Sequence, residues 1–230
     1  MIGAYNLKHT RGITTVEDCY EKLGDVIYAT NITDVKSIIQ NSTNDKGELD
    51  ASKIQQAMFP TIDADIFLSH SSSDIGLAKL IAGQIQYVTN KRVFIDSAFW
   101  GNMYDLEYEI NDKYSRIGED LFSYSRCLRV ASNTRMLLAT ALSKMIYKTP
   151  YFIFLNTSKA MVESNTTSPW IYYEILTANQ FLPVVKKSAI RLDEQTEPVF
   201  SYNIERYIAD FEEVDMDGLL SAISRSNRQV

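Results

Sequence analysis

The sequence predicts an α/β fold built on a parallel, doubly wound sheet, preceded by a helical N-terminal extension. Three observations carry this reading. The apolar runs Ile66-Phe67-Leu68, Val93-Phe94-Ile95 and Tyr151-Phe152-Ile153-Phe154-Leu155 have the length and residue types of strands buried on both faces. Segments with apolar residues at helical spacing alternate with them, which favours parallel pairing. The first run ends abruptly in Ser69-His70-Ser71-Ser72-Ser73-Asp74. Ligands of α/β sheets bind beyond the carboxyl ends of the strands, where such a polar loop would stand.

Residues 1–60 read as a mostly helical extension. Thr14 and Glu17 have the spacing of a capping box, and Val16, Tyr20, Leu23 and Ile27 recur at helical intervals, interrupted by Gly24. A short helix is expected around Val35, Ile38 and Ile39, a loop over Asn41 to Gly47, and a helix from Asp50 to Phe59 that Pro60 stops.

Residues 61–230 then carry the sheet. Ser73 or Asp74 is placed to cap a helix with the stripe Leu77, Leu80, Ile81, Ile85 and Val88. Residues 97–130 read as an aromatic-rich insertion with a helix near Asp105 to Tyr114, and Met136 to Tyr147 as a further helix. After the strand at 151–155 comes a loop, then a helix opened by Ser168 as cap and Pro169 at its first position. A short strand at Leu182 to Val185 and a last helix near Asp217 to Ser224 complete the pattern.

Composition narrows the function. The 230 residues are 45% hydrophobic and 23% charged, as in an ordinary globular chain, and the net charge is −6. That charge offers no general field for nucleic acid, so none is expected as a partner. No apolar run reaches the roughly 20 residues that span a bilayer, and no secretory signal opens the chain, so a cytoplasmic protein without a membrane partner is expected. Cys19 and Cys127 are isolated and only His9 and His70 are present, so neither a metal nor a catalytic histidine triad is expected.

The helix after Ser168 holds the residues with most chemical promise. Ile171, Ile175, Ala178 and Leu182 share one face, while Trp170 and Glu174, four positions apart, share a neighbouring one. A carboxylate beside an indole would there stand at the mouth of a cleft at the sheet's carboxyl edge. The plainer role for Glu174 is a solvated helix residue, and for Trp170 the rim of the core.

Three segments in order resemble the TIR (Toll/interleukin-1 receptor and resistance protein) domain family. Asp65-Ile66-Phe67-Leu68-Ser69-His70 is similar to its first box. Val93-Phe94-Ile95-Asp96 is similar to its second strand. Phe152 to Ser158, followed by Ser168-Pro169-Trp170-Ile171-Tyr172-Tyr173-Glu174, resembles its third strand and S-x-W-x-x-x-E helix. The likeness runs through about residues 63–190 and implies a flavodoxin-like order of strands. Two departures stand out: the stretch from Asp96 to Tyr151 is longer than the family's usual connection, and no arginine follows His70.

The resemblance implies that Glu174 is catalytic and that the chain cleaves the nicotinamide–ribose bond of NAD+, its substrate, without a cofactor or metal. Nicotinamide leaves already cationic, so positive charge develops on the ribose, as in glycoside hydrolysis. A fixed carboxylate would stabilise it by several kcal/mol, roughly 3–4 on the precedent of one oxyanion donor. Ser69, His70 and Ser71 would bind the dinucleotide from below, Asp96 a ribose hydroxyl, and Trp170 would wall the site. His70 can equally be a loop residue beside a helix cap, and Asp96 a strand terminator. Phosphate recognition is left to Arg126, Arg129 or Arg135. The glycine fingerprint of hydride-transferring dinucleotide folds is absent.

The resemblance further implies self-assembly into a homo-oligomer. A cyclic ADP-ribose-type signal read by a separate effector protein is implied too, as in antiphage TIR proteins of the Thoeris type. Two alternatives stay open: a non-catalytic TIR module acting by association, and an enzyme like the nucleoside 2-deoxyribosyltransferases, which set a carboxylate against a glycosidic bond.

Overall fold

A computed structural model describes residues 1–9, 13, 18–29, 35–60, 62–182 and 200–225. The strands and helices in chain order are β1 (Gly3–His9), α1 (Asp18–Ala29), α2 (Val35–Asn41), α3 (Ala51–Met58), β2 (Ile66–Ser69), α4 (Ile75–Thr89), β3 (Val93–Ile95), α5 (Ser97–Tyr114), α6 (Tyr124–Lys148), β4 (Tyr151–Leu155), β5 (Asn165–Thr166), α7 (Pro169–Phe181), β6 (Tyr202–Asn203), α8 (Glu205–Ile208), β7 (Glu212–Asp215) and α9 (Met216–Arg225). Among them no helix is long and apolar enough to cross a membrane.

The chain divides into two compact units. One takes residues 1–28, 63–96 and 145–230, the other residues 29–62 and 97–144. This corrects the expected boundary at residue 60. The N-terminal segment is no separate helical extension, because β1 belongs to the main sheet and α2 and α3 belong with α5 and most of α6.

The first unit is built on a five-stranded parallel sheet in the order β3-β2-β4-β1-β7. Flavodoxin-like sheets run 2-1-3-4-5, and β3-β2-β4 keep the first three places of that order. β1 fills the fourth place. Its register runs from Gly3 opposite Tyr151 to Leu7 opposite Leu155, and β7 closes its other side. The expected strand at Leu182–Val185 falls mostly outside the described residues, as do Thr14, Val16 and Glu17.

Strand alternation sorts the side chains. Ile66, Leu68, Val93, Ile95, Tyr151, Ile153, Leu155, Tyr5 and Leu7 enter one core with Ala78, Ile81, Ala82 and Ile85 of α4 and Leu219 and Ile223 of α9. Phe67, Phe94 and Phe152 lie on the opposite face, where Phe67 stacks on Phe152 at 5.5 Å between ring centres and Phe211 meets Phe152 edge-on. α1 and α4 cross backbone to backbone. A Cβ at Gly83 would sit 1.9 Å from the Tyr20 carbonyl oxygen, and one at Gly24 would sit 2.1 Å from that of Lys79. Gly24, which weakens the helix signal in the sequence, is therefore required by packing.

The second unit is helical. Asp50 caps α3 by accepting from the Ser52 and Lys53 N–H groups. The expected insertion at 97–130 proves to be the whole of α5 and the first turns of α6. Phe59 and Phe99 meet edge-on, and Lys36 pairs with Glu109.

Candidate active site

The ends of two strands and one helix bring four polar side chains together. Ser69 closes β2 and His70 follows it, Asp96 follows β3, and Glu174 lies in the second turn of α7. α7 starts as its sequence dictates. The Ser168 hydroxyl accepts from the Ile171 N–H, and Pro169 occupies the first position, where an N–H has no helical partner. Ile171, Ile175 and Ala178 are buried from there on.

The chain leaving β2 enters α4 on the Ile66/Leu68 face. Ser69 alternates to the other face, and its bond to Glu174 puts α7 on that side. The carboxyl ends of β2 and β4 therefore flank a topological switch point, where sheets of this class hold ligands.

Ser69, His70, Asp96 and Glu174 are each 0% exposed. The Ser69 hydroxyl donates to Glu174 Oε2 at 2.6 Å, and His70 Nδ1 lies 2.7 Å from Asp96 Oδ1. The Asp96 carboxyl group faces Glu174 closely enough to bond to it when one of the two carries a proton. Burial first, and the Asp96 charge second, hold Glu174 well above the usual carboxylate range, and the opposing Ser69 bond does not offset them. The proton belongs to the pair. Burial pushes the His70 imidazole down to about 4, although the nearby Glu174 charge and the Leu68 carbonyl favour its charged form. Burial thus favours a neutral imidazole and an uncharged Glu174 in the cluster.

A second set of contacts ties the two loops at this edge. The Thr157 hydroxyl donates to Asp74 Oδ2, and the Lys159 ammonium lies 3.1 Å from Asp74 Oδ1 while donating to the Ser73 carbonyl. Asp74 gives α4 no side-chain cap, against expectation, because its carboxylate is used here. Nothing in the sequence joins Asp74 to residues more than eighty positions away. Asn156 likewise donates to Asn6 across the ends of β4 and β1.

Of the six residues singled out from sequence, Ser69, His70, Asp96 and Glu174 converge. Ser71 and Trp170 do not join the cluster. The Ser71 hydroxyl accepts from the Ser73 N–H and starts the 3₁₀ turn Ser72–Asp74. Trp170 is partly exposed, its ring meeting Tyr173 edge-on at 6.5 Å. Glu174 was expected at a cleft mouth and is instead sealed, because the sheet end covers the face of α7 that carries it. Of the arginines considered for phosphate, Arg126 donates to the Tyr114 carbonyl and Arg135 lies 3.7 Å from Glu107. Among the described residues no cluster of His, Cys, Asp or Glu is arranged to hold a metal ion.

Chemically, a sealed carboxyl pair with one proton can store or pass that proton, and once ionised it can face a developing positive charge. No family model, curated protein or solved structure matches this chain at a significant level.

Proposed function

We propose that this chain is a TIR-like NAD+ nucleosidase or ADP-ribose cyclase that breaks the nicotinamide–ribose bond with Glu174 as its catalytic carboxylate. The observation that carries the reading is the convergence of Ser69, His70, Asp96 and Glu174 at the switch point of a parallel sheet.

The chemistry follows from charge. As nicotinamide departs with the bonding electrons, the ribose becomes oxocarbenium-like, and an ionised Glu174 stabilises it. In the sealed cluster burial favours the protonated form of Glu174, so the working site must open enough to admit the sugar and let the carboxylate form. Ser69 orients the Glu174 carboxylate through its hydrogen bond, and Asp96 would bind a ribose hydroxyl once the site is open. Water or the adenine ring then captures the ribose, giving ADP-ribose or a cyclic product for a separate effector.

The test is to incubate the purified chain with NAD+ at low and high protein concentration and follow free nicotinamide. Glu174→Gln is expected to lower the rate by about 10²–10³. Equal rates for wild type and Glu174→Gln would remove Glu174 from the mechanism, and deoxynucleoside cleavage without NAD+ cleavage would point to a deoxyribosyltransferase.

One observation favours a second reading, a TIR-like module that acts by association. Tyr104, Tyr108, Leu121, Tyr124 and Leu128 stand in water on and between α5 and α6, and clustered exposed apolar residues often mark contact surfaces. Such a module would assemble without consuming NAD+.

A further inference from the structure

The chain leaves β2 toward α4 on one face of the sheet and leaves β4 toward α7 on the other. The two loops therefore diverge, and sheets of this class keep a ligand crevice between them. Here that crevice is bridged. Asp74, in the loop after β2, accepts from the Thr157 hydroxyl and pairs with the Lys159 ammonium, both in the loop after β4. Lys159 also donates to the Ser73 carbonyl.

The bridge is built to hold. The Thr157 oxygen accepts from the Lys159 and Ala160 N–H groups, which leaves its own proton to point at Asp74. The Asp74 carboxylate is 6% exposed, so parting it from its partners would strand a charge away from water. The Lys159 side chain is 58% exposed, so that half of the bridge is released to solvent at smaller cost. Asp74 is close enough to His70 for its charge to act on the imidazole, so the bridge stands next to the buried cluster.

We infer that the bridge from Asp74 to Thr157 and Lys159 is a strap that keeps ligand out of the crevice, and that parting it is the step that exposes Ser69, His70 and Glu174. Its consequence for catalysis rests on the NAD+ reading, in which the sealed cluster has to open before the sugar can enter. The strap itself is tested without NAD+.

His70 reports opening, because it is 0% exposed in the strapped molecule. Diethyl pyrocarbonate acylates accessible imidazole, and peptide mass mapping separates His70 from His9. On the full chain at neutral pH, Thr157→Val is expected to speed His70 acylation about tenfold. Lys159→Met should speed it about threefold. Thr157→Ser keeps the hydroxyl and should keep the wild-type rate. Arg92→Met breaks an ion pair with Asp63 at the opposite, amino end of the strands and should leave the rate unchanged. Urea unfolding gives each variant's unfolded population, which sets the acylation that global unfolding alone supplies. If purified wild type cleaves NAD+, Thr157→Val should raise kcat/KM in step with the His70 rate. The inference is overturned if Thr157→Val and Lys159→Met acylate His70 at the wild-type rate, if their excess is no more than global unfolding supplies, or if Arg92→Met matches them. It is overturned too if the two variants open His70 but lower kcat/KM. A chain that opens in this way yet never cleaves NAD+ would keep the strap and lose the NAD+ reading.

Discussion

In the sheet unit, Ser69, His70, Asp96 and Glu174 are withdrawn from water altogether, while in the helical unit Tyr104 and Tyr108 are 57% and 66% exposed. Each arrangement runs against the usual preference of its side chains. Burying four polar groups is tolerable only because they interact with one another, through the Ser69–Glu174 bond and the His70–Asp96 pair. Exposing aromatic rings costs little in the folded chain, but it leaves surface free to meet something else. The buried cluster of the sheet unit is therefore where a single atom changes the balance, and the exposed rings of the helical unit are where side chains can change with small effect on folding.

The sharpest test of that contrast is Gly83→Ala. By helix propensity alone alanine stabilises by about 1 kcal/mol. Against this, the added Cβ would stand 1.9 Å from the Tyr20 carbonyl oxygen, and moving backbone is expensive. A net loss of about 2–4 kcal/mol is expected, or roughly 5–10 °C in the unfolding midpoint. An unchanged midpoint would mean that α1 and α4 do not meet this closely.

Protonation gives a second and subtler test. Glu174 is raised on folding, so its contribution is complete below about 4.5 and is lost as pH rises through its folded value. His70 is lowered from 6.5 to about 4, so its contribution is present above 6.5 and is lost as pH falls toward 4. Just above pH 4.5 the folded chain keeps the Glu174 proton and the unfolded chain the His70 proton, so the two slopes oppose each other. Wild-type stability should therefore climb less steeply toward pH 6.5 than the His70 shift alone would make it. Glu174→Gln removes one side of the balance. Its stability should rise by roughly 3 kcal/mol from pH 4 to 6.5, measured by urea unfolding across pH. A wild type as steep as the variant would place the proton elsewhere.

The smallest effect is expected in the helical unit. Tyr104→Ser with Tyr108→Ser should shift stability by no more than about 0.5 kcal/mol. If these rings form an assembly surface, sedimentation velocity will show a lower average mass for the double variant at high concentration. Equal masses would take the two tyrosines out of any self-association.

What the sequence reveals follows the same division. β2, β3 and β4 are legible because both faces of each are buried, which forces unbroken apolar runs. α7 is legible because Ser168 and Pro169 announce it. β1 is not legible: Asn6 sits among its buried residues, satisfied by Asn156, and breaks the apolar signature. β7, with the sequence Glu-Glu-Val-Asp, shows only Val214 to a periodicity search because it lies at the sheet edge. The early turns of α6 escape notice for a related reason, their residues from Tyr124 to Val130 being exposed or half-buried with no apolar stripe. At the site, residue types and order along the chain bring Glu174, Ser69, His70 and Asp96 into view. The approach of Asp96 to Glu174 and the Asp74 tie depend on distances that spacing does not encode.

The place of β1 also bears on how the chain is made. Its two neighbours in the sheet come roughly 150 and 200 residues downstream. β1 must therefore wait for both neighbours until that length of polypeptide has followed it from the ribosome. Such a segment is a natural client for a chaperone that shields extended chain during translation.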